Sequence, residues 1–164
     1  MSSGKPMIRQ PAWLSLVPQL LFMAVLVALC SLAIHSFVMA LEVAMMIYLA
    51  IFILLRTAIP HHHRKGISLL KTNHYLQAIE EFEKSYTFFT RHAWIDRWRY
   101  ITLLSSSKIS YTEMALLNIA FCYSQIDDGS KAKEYYEKTL KQFPKSEIAK
   151  TSLRMMSSAV NRHA

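Results

Sequence analysis

The sequence predicts an all-α protein in two unlike parts, an N-terminal two-helix transmembrane hairpin and a soluble domain of repeated helix pairs with an inserted helix and a C-terminal solvating helix. Three observations predict it. Glu42 is the one charged residue from Pro11 to Leu55, whereas charges are dense from Arg64 onward. In the polar part an order of small and large residues recurs about 54 positions apart. The chain has only 3 Gly and 5 Pro, so helices are rarely interrupted. At 164 residues and 19.0 kDa a large multidomain enzyme is excluded. Two cysteines, Cys30 and Cys122, lie far apart and suggest neither a disulfide framework nor a four-ligand zinc site, which fits a reduced cytosolic setting.

Residues 1–11 read as a cytoplasmic N-terminal segment and 12–59 as the hairpin. The run 12–34, AWLSLVPQLLFMAVLVALCSLAI, carries no charge and is long enough for a hydrocarbon core of ~30 Å. The second helix, 37–59, begins FVMALEVAMMIYLAIFILL. One helix through both would be about twice the bilayer thickness, so the chain reverses between His35 and Glu42. A carboxylate at mid-bilayer costs about 2.5–3.5 kcal/mol, which places Glu42 near that turn and makes it interfacial, with His35, instead of an ion relay. The first run exceeds the apolar core of a cleavable signal peptide, and a second follows at once. Lys5 and Arg9 precede the hairpin and Arg56, Arg64 and Lys65 follow it, so both termini and the soluble domain are expected in the cytoplasm. Ser36, Ala40 and Ala44 on one helix and Ala24 and Ala28 on the other have the spacing that lets helices approach closely in lipid.

Residues 60–65 form a basic junction, opened by Pro60, which ends or kinks the second helix. Arg56, His61, His62, His63, Arg64 and Lys65 are expected to meet lipid headgroups, each Lys or Arg contributing about 1 kcal/mol near an anionic leaflet. Consecutive histidines on a helix point about 100° apart and no acid stands near them in sequence, so no metal or other cofactor is expected.

In the domain 66–164, KGISLLKTNHYLQAIEEFEKSYTFF and LNIAFCYSQIDDGSKAKEYYEKTLKQFP are two copies of one pattern. Gly66 precedes Ala78 by 12 residues and Ala78 precedes Phe82 by four, and Ala120, Ala132 and Tyr136 repeat the spacing, with Pro144 closing the second copy. The small residues let two helices of a pair cross closely, and the aromatic fills the space between pairs. Asn73 and 128–130 supply turns within the pairs, Ser110 and Glu113 form a capping box, and Ser146 is placed to cap a last helix from Glu147 to about Val160. Five or six soluble helices result.

This pattern resembles the tetratricopeptide repeat, with Leu69 and Tyr123 at the large position of the first helix, Tyr75 early in the second, and EEFEKS and EYYEKTL as second-helix text. It departs from the family where His62 and Leu116 stand for its tryptophan, and in an insert, 93–112, between copies at about 59–92 and 113–146, which leaves direct stacking of the pairs open. The segment WIDRWRYITLLSSSKISYTEMALLNIAFCYSQ also resembles short bacterial membrane-anchored proteins of this repeat class, which implies a bacterial inner membrane. The resemblance further implies a groove that holds a partner segment, lined by His63, Ile67, Leu70 and Lys71 in the first copy and Met114, Leu117, Asn118, Phe121 and Gln125 in the second. Asn118 matches one position of the family's clamp for C-terminal carboxylates. His63, Ile67, Thr151 and Ser152 do not match the others, so an amphipathic partner fits better than an acidic tail.

Within the insert, Trp94, Ile95, Trp98, Ile101 and Leu104 fall at helical spacing, predicting one amphipathic helix with its aromatic stripe in the core, before a loop at 105–107. From Gly66 onward 14 Lys plus Arg stand against 10 Asp plus Glu, too mild an excess for a dedicated nucleic-acid binder. The serines lack a glycine elbow, no glycine-rich phosphate loop exists, and Asp127 and Asp128 read as a turn and cap, so catalysis is not expected. The function expected is a membrane-anchored adaptor that binds a partner protein segment at the cytoplasmic face, or else an accessory subunit of a transport or secretion complex acting through the hairpin.

Overall fold

The computed structural model describes residues 16–103, 107 and 109–163. The expectations placed on the N-terminal segment with Lys5 and Arg9, on the start of the first apolar run, and on Leu104, Ser105 and Ser106 lie outside the described residues. Among the described residues the regular structure is helical: α1 (Leu16–Ala33), α2 (Phe37–Ala58), α3 (His61–Lys71), α4 (Tyr75–Arg91), α5 (Ala93–Arg97), α6 (Arg99–Thr102), α7 (Tyr111–Gln125), α8 (Gly129–Gln142) and α9 (Glu147–His163). The chain divides into two compact units, Met1–Ile59 with Arg97–Ser110, and Pro60–Asp96 with Tyr111–Ala164.

In the first unit the chain reverses at 34–36, with Ser36 extended at φ −89° and ψ 116°, and α2 packs back along α1. Phe22 of α1 lies 6.1 Å from the Tyr48 ring of α2. Two of the expected small residues, Ala40 and Ala44, are the buried residues of α2. Ala24 and Ala28 are not at this crossing but exposed. The side chains of α1 that turn inward are instead the larger Phe22, Met23, Leu26 and Val27, which fit because the alanines give them room. The turn falls at the near end of the expected range, so Glu42 is the sixth residue of α2, exposed and about 8 Å along the helix. Of the two spans expected, α2 is the one helix among the described residues long and apolar enough to cross a membrane; α1, described from Leu16, is apolar but shorter. The short α6 packs on α1, and the Arg99 Nε donates to the Ser107 carbonyl at 3.0 Å.

The second unit is a row of helices in which α3, α4, α7, α8 and α9 each pack on the next. The insert does not part the pairs: α4 lies directly against α7. One core joins Leu70, Ala78, Ile79 and Phe82 to Ile119 and Cys122, and a second joins Leu117 and Ala120 to Tyr136 and Ala149. At Gly66 the helices come so close that a Cβ would stand 2.7 Å from the Phe82 ring, the reason the position takes glycine. The two turns repeat in register. Asn73 (φ 63°) and Asp127 (φ 59°) are the non-glycine residues with positive φ among those described, and the next amide closes each helix, His74 N on Leu69 O at 2.9 Å and Asp128 N on Tyr123 O at 3.0 Å. Asp128 also caps α8, accepting from the Lys131 amide at 3.0 Å.

The insert departs from expectation. Its helical stretch is two short helices, α5 and α6, separated at Trp98, and its tryptophans are not core, Trp94 being 62% and Trp98 56% exposed. Asp96 turns inward instead, buried, and accepts from the Tyr111 and Thr112 amides at 2.8 and 2.9 Å and from the Thr112 hydroxyl at 2.6 Å, holding the first turn of α7. Ser146 stands at the start of α9, but its buried hydroxyl does not cap the helix and has no hydrogen-bond partner among the described residues.

Candidate partner-binding site

The candidate groove residues divide by burial. Three belong to the interior: His63, Leu70 and Leu117 are buried, Leu70 in the first core and Leu117 in the second. They support the face and cannot offer it to a partner. Met114, Asn118 and Phe121 are half-buried and Gln125 is exposed, one stripe along α7 opposite its buried Leu116 and Ala120. On α3, Ile67 is half-buried and Lys71 exposed. Ile67 and Phe121, which occupy equivalent positions of the two copies, pack on the same core and so are brought together by the fold. The available face is therefore apolar at Ile67, Phe121 and Met114 and polar at Asn118, Gln125 and Lys71.

His63 explains how α3 is fixed beneath that face. Its ring meets Phe82 and Tyr111 edge-on at 5.4 and 5.3 Å, and Ser85 Oγ lies 3.3 Å from Nδ1. Burial among these groups lowers its pKa to about 4, so the imidazole is neutral near pH 7. His63 is accordingly no headgroup contact either. Cys122 is fully buried and its thiol is pushed up to about 12 by desolvation, an inert packing group.

A charged cluster on the other side of α3 was not foreseen. Glu81 of α4 is buried and accepts from His62 Nδ1 at 2.7 Å, Lys65 Nζ at 3.1 Å and Lys84 Nζ at 3.0 Å. The His62 hydrogen bond, aided by Lys84 and Lys65 and opposed by burial, holds the carboxyl at about 2. The signal for it was present, since Glu81 lies three residues after Ala78 and four before Ser85, on the inward face of α4, where a charge needs partners. Beside it opens a depression of about 550 Å³ lined by His62, Glu80, Glu83, Lys84, Thr87, Phe88, Arg91 and His92. His61 and Arg64 are exposed, and Arg56 lies over the Phe52 ring at 4.9 Å. Among the described residues no three His, Cys, Asp or Glu side chains are grouped as metal ligands would be.

Helices α7 and α8, with Ala120 and Ala132 both buried, Tyr136 in one core with Ala120 and Pro144 past the end, coincide with a family pattern. Residues 114–146 match the sequence model of the tetratricopeptide repeat family. The segment is a tetratricopeptide repeat. The match begins one residue before Ala115, includes all of α8 and ends at Ser146. No curated protein and no solved structure matches the chain. A tetratricopeptide repeat points to protein–protein interaction and a scaffold role.

Proposed function

We propose that the chain is a membrane-anchored adaptor whose tetratricopeptide repeat domain holds an amphipathic segment of a partner protein at the cytoplasmic face. The observation that carries the membrane part is the surface of α2. Met46 is 72% exposed, Phe37, Val38, Met39, Leu49, Ile53 and Leu54 are exposed with it, and only Ala40 and Ala44 are buried. A core helix of a water-soluble protein would cover such residues, whereas lipid is the solvent that leaves them uncovered without cost. Helix α1 returns alongside as the other arm of a transmembrane hairpin. Arg56, His61, Arg64 and Lys65 then stand at the headgroups, where the cations meet phosphate.

The partner binds the stripe Met114, Asn118, Phe121 and Gln125 with Ile67 and Lys71. Two pairs give a short groove, so affinity draws on the partner's presence at the same membrane. A photo-reactive residue at Asn118 of the full-length chain tests this in native membranes. The reading predicts a discrete cross-linked protein that disappears with Phe121→Arg, while the same group at Lys133 on α8 gives none. Identical products from both positions would refute it.

A second reading has its own observation. Ala24 and Ala28 face outward from α1, where they allow another helix to approach closely in lipid, as in an accessory subunit held by its hairpin. Replacing 12–59 with an unrelated anchor separates the two. Retained cross-linking at Asn118 supports the adaptor, and lost assembly supports the subunit.

A further inference from the structure

Residues 97–110 leave the repeats and join the hairpin in the first compact unit, where α6 packs on α1 and Leu103 is fully buried. In the second unit Asp96, which accepts from the Tyr111 and Thr112 amides, draws the two ends of this stretch together. The stretch is therefore a closed excursion that the stacking of the repeats does not need.

Its charge is one-sided. It carries Arg97, Arg99 and Lys108 and no Asp or Glu, together with Trp98 and Tyr100. Over the whole first unit Lys5, Arg9, Arg56, Arg97, Arg99 and Lys108 stand against Glu42 alone, and Glu42 lies near the reversal, at the other end of α2 from Arg56. Trp98 is 56% exposed. Arg97 beside it is exposed and makes no hydrogen bond or ion pair among the described residues, whereas Arg99 is held on the Ser107 carbonyl.

Connectivity says what this surface meets. A segment with three cations does not enter hydrocarbon, so α6 meets α1 at one of its ends. Beyond Pro60 no described helix is long and apolar enough to cross a bilayer, so if α2 spans one, the insert lies on the side to which α2 delivers the chain. Because α2 runs back along α1, that side is the Leu16 end of α1. An uncovered tryptophan next to a free arginine at the end of a span suits the boundary of water and lipid, where the indole lies at the headgroup level and the cation reaches phosphate.

We infer that the insert is a second membrane attachment, with Trp98 seated at the lipid boundary and Arg97 on the phosphate of an anionic phospholipid. The inference rests on the reading of α2 as a membrane span, and its test keeps the two apart. Full-length protein carrying Trp13→Phe and Trp94→Phe, so that Trp98 is the sole tryptophan, is placed in nanodiscs of phosphatidylcholine with or without phosphatidylglycerol. The lipids carry bromine either near the glycerol or near the ends of the acyl chains. The expected result is quenching of Trp98 by the shallow bromine, little by the deep one, and more of it with phosphatidylglycerol present. The quenched and unquenched parts of the tryptophan decay give the ratio of seated to lifted insert. Arg97→Gln should lower that ratio about five-fold in phosphatidylglycerol. Arg97→Lys should retain it, and Lys133→Gln, the same loss of charge on α8, should leave it unchanged.

Trp98 left unquenched in every lipid, with the protein still resident in the disc, would overturn the seat and leave the span intact. A protein captured in native membranes by a photo-reactive residue at 98 would then assign the face to that partner. Loss of the protein from the disc would overturn the span and the inference with it. Deep bromine quenching as strongly as shallow would put Trp98 inside the hydrocarbon and overturn the boundary position. A ratio equal in neutral and anionic discs, or lowered as much by Lys133→Gln as by Arg97→Gln, would overturn the phosphate contact.

Discussion

Gly66 and Phe82 meet where a methyl group would overlap the ring, so Gly66→Ala must displace a fully buried aromatic. The expected loss is about 1–3 kcal/mol, read as a lower denaturant midpoint in detergent, with Gly129→Ala, where a Cβ meets nothing within 4 Å, as the benign comparison. His63 gives a pH dependence of definite sign. Its folded pKa, about 4, lies below the ordinary 6.5, so the unfolded chain takes up the proton first. The stability is complete above pH 6.5 and falls as pH drops toward 4, by about 2 kcal/mol between pH 7 and pH 5. His63→Phe should flatten that stretch of the profile. Glu81, held at about 2 instead of 4.5, works in a lower window, its contribution present above 4.5 and lost as pH falls toward 2. A wild-type midpoint unchanged from pH 7 to pH 5 would contradict the burial of His63.

Among the elements, the turns and the start of α7 carry the sharpest expectations. Asn73 and Asp127 sit in the left-handed region, so glycine at either should be within about 0.5 kcal/mol of wild type. Asn73→Val should cost about 1–2 kcal/mol by thermal denaturation. Asp96→Ala leaves two amides and a hydroxyl without their acceptor and should cost about 2 kcal/mol, first as lost amide-exchange protection at Tyr111 and Thr112. These elements also show what was legible beforehand. The register of Gly66, Ala78 and Phe82 against Ala120, Ala132 and Tyr136 could be read because close helix crossings admit only small residues. The insert could not, because its helical period is overridden by a contact between residues 15 apart: Asp96 is drawn to the amides of α7, and the helix stops just beyond it. The same limit applies to the groove. Position within a repeat identified the stripe on α7, but only the packing of Tyr111 and Phe82 around His63, and of Tyr136 and Ala149 with Leu117, shows which of its residues are interior.

For the whole molecule the division of charge along the chain remains the governing fact. One part keeps apolar side chains on its outside, and the other buries them in two cores beneath a mixed face. Such a chain places a protein-binding repeat at a membrane only if the outward residues of α2 are in lipid. Reactivity at one of them decides this. With Cys30→Ala in the background and the buried Cys122 retained, Met46→Cys and Lys133→Cys are compared for labelling by a water-soluble maleimide in open membrane fragments. The account predicts rapid labelling at 133 and none at 46 until the lipid is dissolved by detergent. Equal labelling at both positions in intact membranes would contradict it.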